Sequence, residues 1–321
     1  MEPGIVELVP FRIPLRRRFR GVEERAGVLL RGPAGWGEFS PFPGYGAAQA
    51  ARWLAAAREA ALEGFPDRVR DRVPVNATVP AVGPDDAVRI VRDSGCRTVK
   101  VKVAETGQDL ADDVERVAAV RDALGPGGRV RIDVNGAWDV ETAVLAISRL
   151  DAAAGGLEYV EQPCATIEEL ADLRGRVTVA IAADESIRLA SDAIVAARSA
   201  AVDVIVLKVQ PLGGVRGALE VADAARIPVV VSSAVETSVG LAAGLALAAA
   251  LPELDHACGL GTAWLLRGDV TDDPLVPVDG HLDVRAVTPS RALLKTWTPD
   301  DETATRLLER MTGAERARSG T

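Results

Sequence analysis

Thr98-Val99-Lys100-Val101-Lys102-Val103 places two lysines two residues apart inside an apolar run. In a β-strand the side chains of residues i and i+2 leave on the same face. Both ammonium groups therefore project to one side of the strand, and Val99 and Val101 to the other. A surface strand could carry such a pair without consequence. The chain downstream argues for more, because four further apolar runs each end in a charged residue that a strand interior disfavours.

Around this stretch the chain alternates between strands and helices. Val73 to Val79 reads as a strand, Asp85 to Asp93 as a short helix and Thr98 to Val103 as the second strand. Leu110, Val114, Val117 and Leu124 mark a helix face. Val130–Val134, Leu157–Val160, Val177–Ala182, Val204–Val209 and Ile227–Val231 are the next strands, and His256–Leu260 is a weaker eighth. Helices are expected between them: one through Val140 and Leu150, one opened by the capping box Thr166-Ile167-Glu168-Glu169, one from near Ser191, and one over Val215–Ala225. Near-continuous Val/Ile runs in such an alternation mean parallel strands buried on both faces. Seven or eight units fit a closed (β/α)8-type TIM barrel, in the modified (β/α)7β form. An open doubly wound sheet is disfavoured, since no G-x-G-x-x-G follows the first strand.

Residues 1–72 read differently. Ile5–Ile13 and Gly27–Arg31 are strand candidates, Arg16–Gly21 a basic connection, and Gly32-Pro33-Ala34-Gly35 a turn. Ser40-Pro41-Phe42-Pro43-Gly44-Tyr45-Gly46 cannot be regular structure, and Ala47–Glu63 is strongly helical. Residues 290–321 are polar, with one helix at Ala304–Met311, and are expected to pack back on the N-terminal unit. The resulting division is an α+β capping domain of 1–72 plus 290–321 and a barrel of 73–289.

The 321 residues carry a net charge of −9, which disfavours nucleic acid and anionic membrane surfaces as partners. Cys96, Cys164 and Cys258 have neither metal-type nor disulfide spacing and suit a reducing cytoplasm as small buried residues. Met1-Glu2-Pro3-Gly4 lacks an apolar signal core, and the longest apolar run, Val239–Leu251, is too short to span a bilayer. A cytoplasmic location and a monomer are expected. Of the two histidines, neither His256 nor His281 closes a charged strand, which disfavours a histidine base.

In a barrel the active site lies at the C-terminal ends of the strands. Those ends carry Lys100 and Lys102, then Asp133 and Asn135, Glu161, Asp184 and Glu185, Lys208, and finally Ser232 and Ser233. Carboxylates from three adjacent strands cannot converge unless positive charge lies between them. Oxygen ligands without His or Cys select a hard cation, Mg²⁺ first. A lysine close to such a cation and to another lysine gives up its proton more readily and can act as a general base. The assembly suits removal of a proton α to a carboxylate, through an enediolate that the cation stabilises.

These motifs resemble the enolase superfamily, in its muconate-lactonizing subgroup, over essentially the whole chain. Gly35-Trp36-Gly37-Glu38 with Pro41 resembles the end of the capping-domain strands. Lys100-Val101-Lys102 resembles K-x-K, and Asp133 to Trp138 resembles D-x-N-x-x-W. Glu161-Gln162-Pro163, Asp184-Glu185-Ser186 and Lys208 resemble the remaining three motifs. The resemblance implies Mg²⁺, for which Mn²⁺ can substitute, on Asp133, Glu161 and Asp184. It implies Lys102 and Lys208 on opposite faces of a small-molecule carboxylate substrate.

Within the subgroup, dipeptide epimerases would carry D-x-D near the eighth strand, where this chain has His256 to Thr262. The mandelate-racemase subgroup would need a histidine where Ser232 stands. Ser232 to Gly240 and Ser40 to Tyr45 resemble the o-succinylbenzoate synthases of menaquinone biosynthesis. That implies Mg²⁺-dependent dehydration of 2-succinyl-6-hydroxy-2,4-cyclohexadiene-1-carboxylate to 2-succinylbenzoate. N-acylamino acid racemase is the nearest alternative, and a non-catalytic metal-binding barrel is another. On this reading Lys102 takes the α-proton and then protonates the departing hydroxyl. Lys208 stabilises the enediolate, and Lys100 acts electrostatically and pairs with an acid. Arg131 is expected to hold Asp133 or Asn135. Ser232 and Ser233 would either donate hydroxyl and backbone N–H groups to a substrate carboxylate or simply cap a helix. Gly213 and Gly214 would let the backbone pass the substrate or form a bare turn. Arg16 to Arg25 is the expected lid; its arginines either attract a dicarboxylate or face solvent.

Overall fold

The computed structural model describes residues 4–19, 21–187 and 189–320. Arg20, from the basic connection, and the residues before Gly4 lie outside that set. β1 (Glu7–Phe19), β2 (Val22–Gly32) and β3 (Gly35–Phe39) form an antiparallel sheet in that order. Arg16 and Arg17 thus belong to a hairpin arm rather than to the loop expected there. Arg16 Nε donates to the Leu266 carbonyl (2.9 Å) and Arg17 pairs with Asp86 (2.9 Å), so both touch the barrel side while their side chains remain exposed to solvent.

α1 (Ala47–Arg58) runs into a π-helical turn, Glu59–Glu63, ended by Gly64 at φ +74°. The next expected strand, Val73–Val79, is two short ones. β4 (Arg72–Pro74) pairs outward with the late strand β12 (His281–Asp283), and β5 (Ala77–Val79) is the first barrel strand. The break lies at Val75-Asn76, where the chain turns from one sheet into the other.

The barrel repeat then runs α2 (Pro84–Ser94), β6 (Thr98–Lys102), α3 (Leu110–Leu124), β7 (Arg129–Asp133), α4 (Val140–Ala154), β8 (Leu157–Glu161) and α5 (Ile167–Arg174). It continues through β9 (Ile181–Ala183), α6 (Ala190–Arg198), β10 (Val204–Leu207), α7 (Val215–Ala225), β11 (Val229–Val231) and α8 (Ser238–Ala250). β5 to β11 form one parallel sheet in sequential order. β9 is shorter and later than Val177–Ala182, since Val177 to Ala180 lead in through a bend after α5, with Val177 N–H on the Leu173 carbonyl (3.2 Å).

The eighth unit is a bridge rather than a strand. Cys258 pairs with Val75 and Gly259 with Ser232, and their backbone bonds (Cys258 N–H to Pro74 O, 2.7 Å; Gly259 N–H to Val231 O, 2.8 Å) close the sheet. The fold is therefore the expected (β/α)7β barrel with its N-terminal α+β cap.

The core follows the sequence pattern. Val99, Val101, Val130, Ile132, Val160, Ile181, Ile205 and Leu207 are buried between the sheet and its helices. α8 is buried on nearly every side, which explains why its sequence shows no polar face. After α9 (Arg291–Thr296), α10 (Asp301–Ser319) lies on α1, longer than the expected Ala304–Met311. Arg58 and Glu315 pair across them (2.8 Å), and Arg310 donates to the Pro41, Phe42 and Tyr45 carbonyls. Cys96, Cys164 and Cys258 are free and buried. Among the described residues no helix is long and apolar enough to cross a membrane.

Candidate active site

Parallel register carries the charged strand ends to one level. Lys102 stands beside Asp133 in the β6–β7 ladder, and Asp133 beside Glu161 in β7–β8. Lys100, Lys102, Asp133, Glu161 and Asp184 are all buried. Their contacts form two groups. In the first, Lys100 Nζ bridges Glu161 Oε1 (2.6 Å) and Asp133 Oδ2 (2.9 Å), while Lys102 Nζ reaches the same Asp133 Oδ2 (2.6 Å) and Asn135 Oδ1 (2.5 Å). In the second, Lys208 Nζ sits on both oxygens of Asp184 (2.6 and 2.5 Å).

Buried charge needs partners, and here three ammonium groups meet three carboxylates. Even so, burial, and next the charge of Asp133, push the Glu161 carboxyl up to about 7 despite Lys100 beside it. These three acids stand together as one buried group. All its donors are oxygen, which suits a hard divalent cation. Among the described residues no three acidic, His or Cys side chains stand close enough together to enclose an ion in the arrangement seen, in which lysine nitrogens lie against each carboxylate.

The turns after these strands are strained. Ala104, Asn135, Gln162 and Val235 have φ of +59°, +54°, +42° and +60°, and follow β6, β7, β8 and β11. Asn adopts this conformation readily; a β-branched Val does so at a cost and must be held. Gln162, quoted above only as part of a motif, is a positioning residue. Its Oε1 accepts from Asp184 N–H (2.8 Å), Ser186 N–H (3.2 Å) and Ser186 Oγ (3.1 Å), and its Nε2 donates to Cys164 O (2.8 Å). It thus locks the Asp184 backbone to the end of β8. Its polar side chain between Glu161 and Pro163 was the available signal. Asn135 Nδ2 donates to Glu185 Oε1 (3.1 Å), joining the third and fifth barrel strands.

A small cavity of about 50 Å³ opens over the lysines, lined by Lys100, Lys102, Asp184, Lys208, Ser232 and Ser233. The cap contributes Val22 and Phe42, and the eighth unit Gly259 and Thr262. A neighbouring cavity of similar size brings Tyr45, Trp53 and Leu212 to the same Lys208, with Phe42 shared between the two.

Residues 84–289 match the model of the enolase C-terminal domain-like family, and residues 10–61 that of the enolase N-terminal domain-like family. An o-succinylbenzoate synthase of Thermobifida fusca (strain YX) is 67% identical over 284 residues, 88% of this chain and 89% of that protein. The o-succinylbenzoate synthase of Mycobacterium tuberculosis (strain ATCC 25618 / H37Rv) is 55% identical over 92% of this chain and 89% of its own. The chain belongs to the o-succinylbenzoate synthase family of the enolase superfamily.

The fold of this o-succinylbenzoate synthase family member matches muconate lactonizing enzyme from Pseudomonas fluorescens with a TM-score of 0.79, at 24% identity over 91% of this chain and 98% of that one. The L-Ala-D/L-Glu epimerase from Bacillus subtilis matches with a TM-score of 0.75 at 23% identity, over 89% and 98%.

Three expected contacts are not made. Arg131 does not hold Asp133 or Asn135. It lies one layer deeper, bonded to Glu158, Asn76 Oδ1 (3.2 Å) and the Ala257 carbonyl (2.7 Å), over the Tyr159 ring. The period-2 alternation points it into the barrel, but two residues nearer the closed end. The backbone N–H groups of Ser232 and Ser233 are not offered to a ligand, because they bond Leu207 O (2.9 Å) and Gly259 O (3.2 Å) to close the barrel. Ser233 Oγ faces Thr262 Oγ1 (2.8 Å), and Thr237, not a serine of this pair, caps α8.

Gly213 (φ +85°) forms the bare turn, and Gly214 serves the cap interface rather than the site. A Cβ on Gly214 would strike Glu59, whose carboxylate accepts from Val215 N–H (2.5 Å), Arg216 N–H (3.1 Å) and Arg216 Nη1 (2.8 Å).

Proposed function

We propose that the chain catalyses the syn loss of water from 2-succinyl-6-hydroxy-2,4-cyclohexadiene-1-carboxylate, giving 2-succinylbenzoate for menaquinone synthesis. The observation that carries this reading is the grouping of Lys100, Lys102 and Lys208 on Asp133, Glu161 and Asp184 at one buried barrel mouth, in a member of this family. On this reading residues 73–289 are the catalytic barrel, and residues 1–72 with 290–321 are the cap that roofs it.

Asp133, Glu161 and Asp184 would hold Mg²⁺, or Mn²⁺ in its place. When bound, the cation supplies positive charge that stabilises the oxyanion developing on the substrate carboxylate. Lys102 Nζ, in its neutral form, takes the proton from the carbon bearing the carboxylate. As the ammonium it returns that proton to the departing hydroxyl on the same face, and water leaves with the C–O bonding pair. The ring becomes aromatic, so the elimination runs strongly downhill. Lys208, held by Asp184, stabilises negative charge from the opposite face. Lys100 keeps Glu161 and Asp133 apart and neutralised. Asn135 orients the Lys102 amine.

The reading is tested by following the cyclohexadiene substrate in deuterated buffer beside N-succinyl amino acids. Dehydration is expected to dominate. Racemisation with α-deuterium incorporation at a much higher rate than dehydration would assign the same two lysines to a racemase instead. A Lys102→Ala protein that keeps full function would leave only a non-catalytic metal-binding barrel.

A further inference from the structure

Val235 lines the cavity over Lys102 and Lys208 in a conformation that β-branched residues avoid (φ +60°). Two buried side chains grip it. Arg25, which comes from β2 in the cap and is 1% exposed, donates from Nε to the Val235 carbonyl (3.2 Å). Glu236, also 1% exposed, accepts the Ala234 N–H on Oε2 (2.8 Å). Among the described residues its Oε1 is buried with no hydrogen-bond partner, which costs free energy.

Arg25 also ties down the roof. Its Nη2 donates to the Ser40 carbonyl and to Ser40 Oγ (3.1 Å), and its guanidinium lies over the Phe42 ring, 4.4 Å from the centroid. Phe42 lines both cavities at Lys208. One side chain of the cap therefore touches the roof of the site through Ser40 and Phe42, and its strained wall through Val235.

We propose that Arg25 and Glu236 are positioning residues that hold Val235 in its left-handed conformation and set Phe42 over the substrate ring, so that the site is complete only when the cap is seated. This rests on the dehydratase reading for the identity of the substrate, and on geometry alone for the clamp. Neither residue takes part in proton transfer. Lysine cannot replace Arg25, because a single ammonium cannot span Val235 O and Ser40 O while stacking on Phe42. Glutamine can replace Glu236, because only an acceptor for the Ala234 N–H is needed.

The test is a mutant cycle with two readouts: steady-state kinetics on the cyclohexadiene substrate, and amide hydrogen exchange across residues 232–238. Arg25→Lys and Glu236→Ala are each expected to raise KM about tenfold, with kcat changed about threefold or less, and to speed exchange in that turn. Glu236→Gln should keep KM within about twofold of the native protein. In a Val235→Gly background, where the turn carries no strain, Arg25→Lys should raise KM by only about threefold, the share that Phe42 carries.

An equal rise in both backgrounds would overturn the proposal, as would a lowered melting temperature with KM and exchange unchanged. A native protein inactive on the cyclohexadiene substrate would sink the functional reading instead. The exchange data would still decide the clamp, accelerated turns in Arg25→Lys and Glu236→Ala supporting it and native rates refuting it.

Discussion

Two buried clusters of carboxylates sit within one chain and do different work. At the barrel mouth, Asp133, Glu161 and Asp184 are matched by three ammonium groups on flexible stems. Between cap and barrel, Arg25 is the guanidinium beside Glu38 and Glu236 among the described residues, and Lys208 also acts on Glu236. Glu38 depends instead on fixed donors: Ser40 Oγ (2.7 Å), Thr237 Oγ1 (2.5 Å), and the N–H groups of Thr237 (3.1 Å) and Gly240 (3.1 Å) at the start of α8. Mobile lysine charges can be displaced by a cation and can carry protons. Hydroxyls and a helix N-terminus do neither, but they fix position. Burial alone therefore does not mark a catalytic carboxylate; the kind of partner does.

The largest expected effect breaks the first cluster outright. Excess chelator should abolish turnover, and added Mg²⁺ should restore it; full activity in chelator would refute the assignment of Asp133, Glu161 and Asp184. Lys102→Ala comes next, with kcat down by about 10³-fold or more while circular dichroism and melting remain close to native. Survival of even a tenth of the activity would remove Lys102 from proton transfer.

The second cluster is probed by pH. Burial, opposed mainly by the Thr237 hydroxyl, raises the Glu38 carboxyl to about 7. The native state then holds this proton more tightly than the unfolded chain, whose carboxyl titrates near 4.3. Native stability should fall as pH rises from there through about 7, then level off. In Glu38→Gln this component vanishes, so the stability difference between native and variant should shift against the native protein across that window, by up to about 3 kcal/mol. Urea unfolding at a series of pH values measures it. A flat difference would mean that the donors keep Glu38 ionised throughout.

Smaller still is the cap contact at α7. Glu59→Ala should cost about 2 kcal/mol of stability by leaving the Val215 and Arg216 N–H groups without their acceptor, with KM little changed. At the bottom of the scale, the exposed Arg72–Asp283 pair should contribute less than about 1 kcal/mol.

Sequence carried the barrel because parallel strands buried on both faces must be apolar throughout, so a charge ending such a run stands out. Lys100, Lys102, Asp133, Glu161, Asp184 and Lys208 were legible for that reason, as was the Thr166–Glu169 capping box, which forms with Glu169 N–H on Thr166 Oγ1 at 3.2 Å. The lengths of β4, β5 and β9 were not, because a Val-rich segment reads the same whether it pairs in the barrel, pairs outside it or leads in through a bend.

The lysine doublet was thus set by a local rule: period-2 alternation sends Lys100 and Lys102 to one face whatever the fold. Which partner each takes was decided only in three dimensions. The stagger of β6 against β7 and β8 gives Lys100 to Glu161 and Asp133, and gives Lys102 to Asp133 and Asn135. The same alternation left Arg131 ambiguous, because it fixes a side chain's face but not its depth along the barrel. That Arg25, Glu38 and Glu236 come together was beyond the sequence altogether. They meet across some 200 positions of chain, and no local pattern records which buried acid a distant arginine will face.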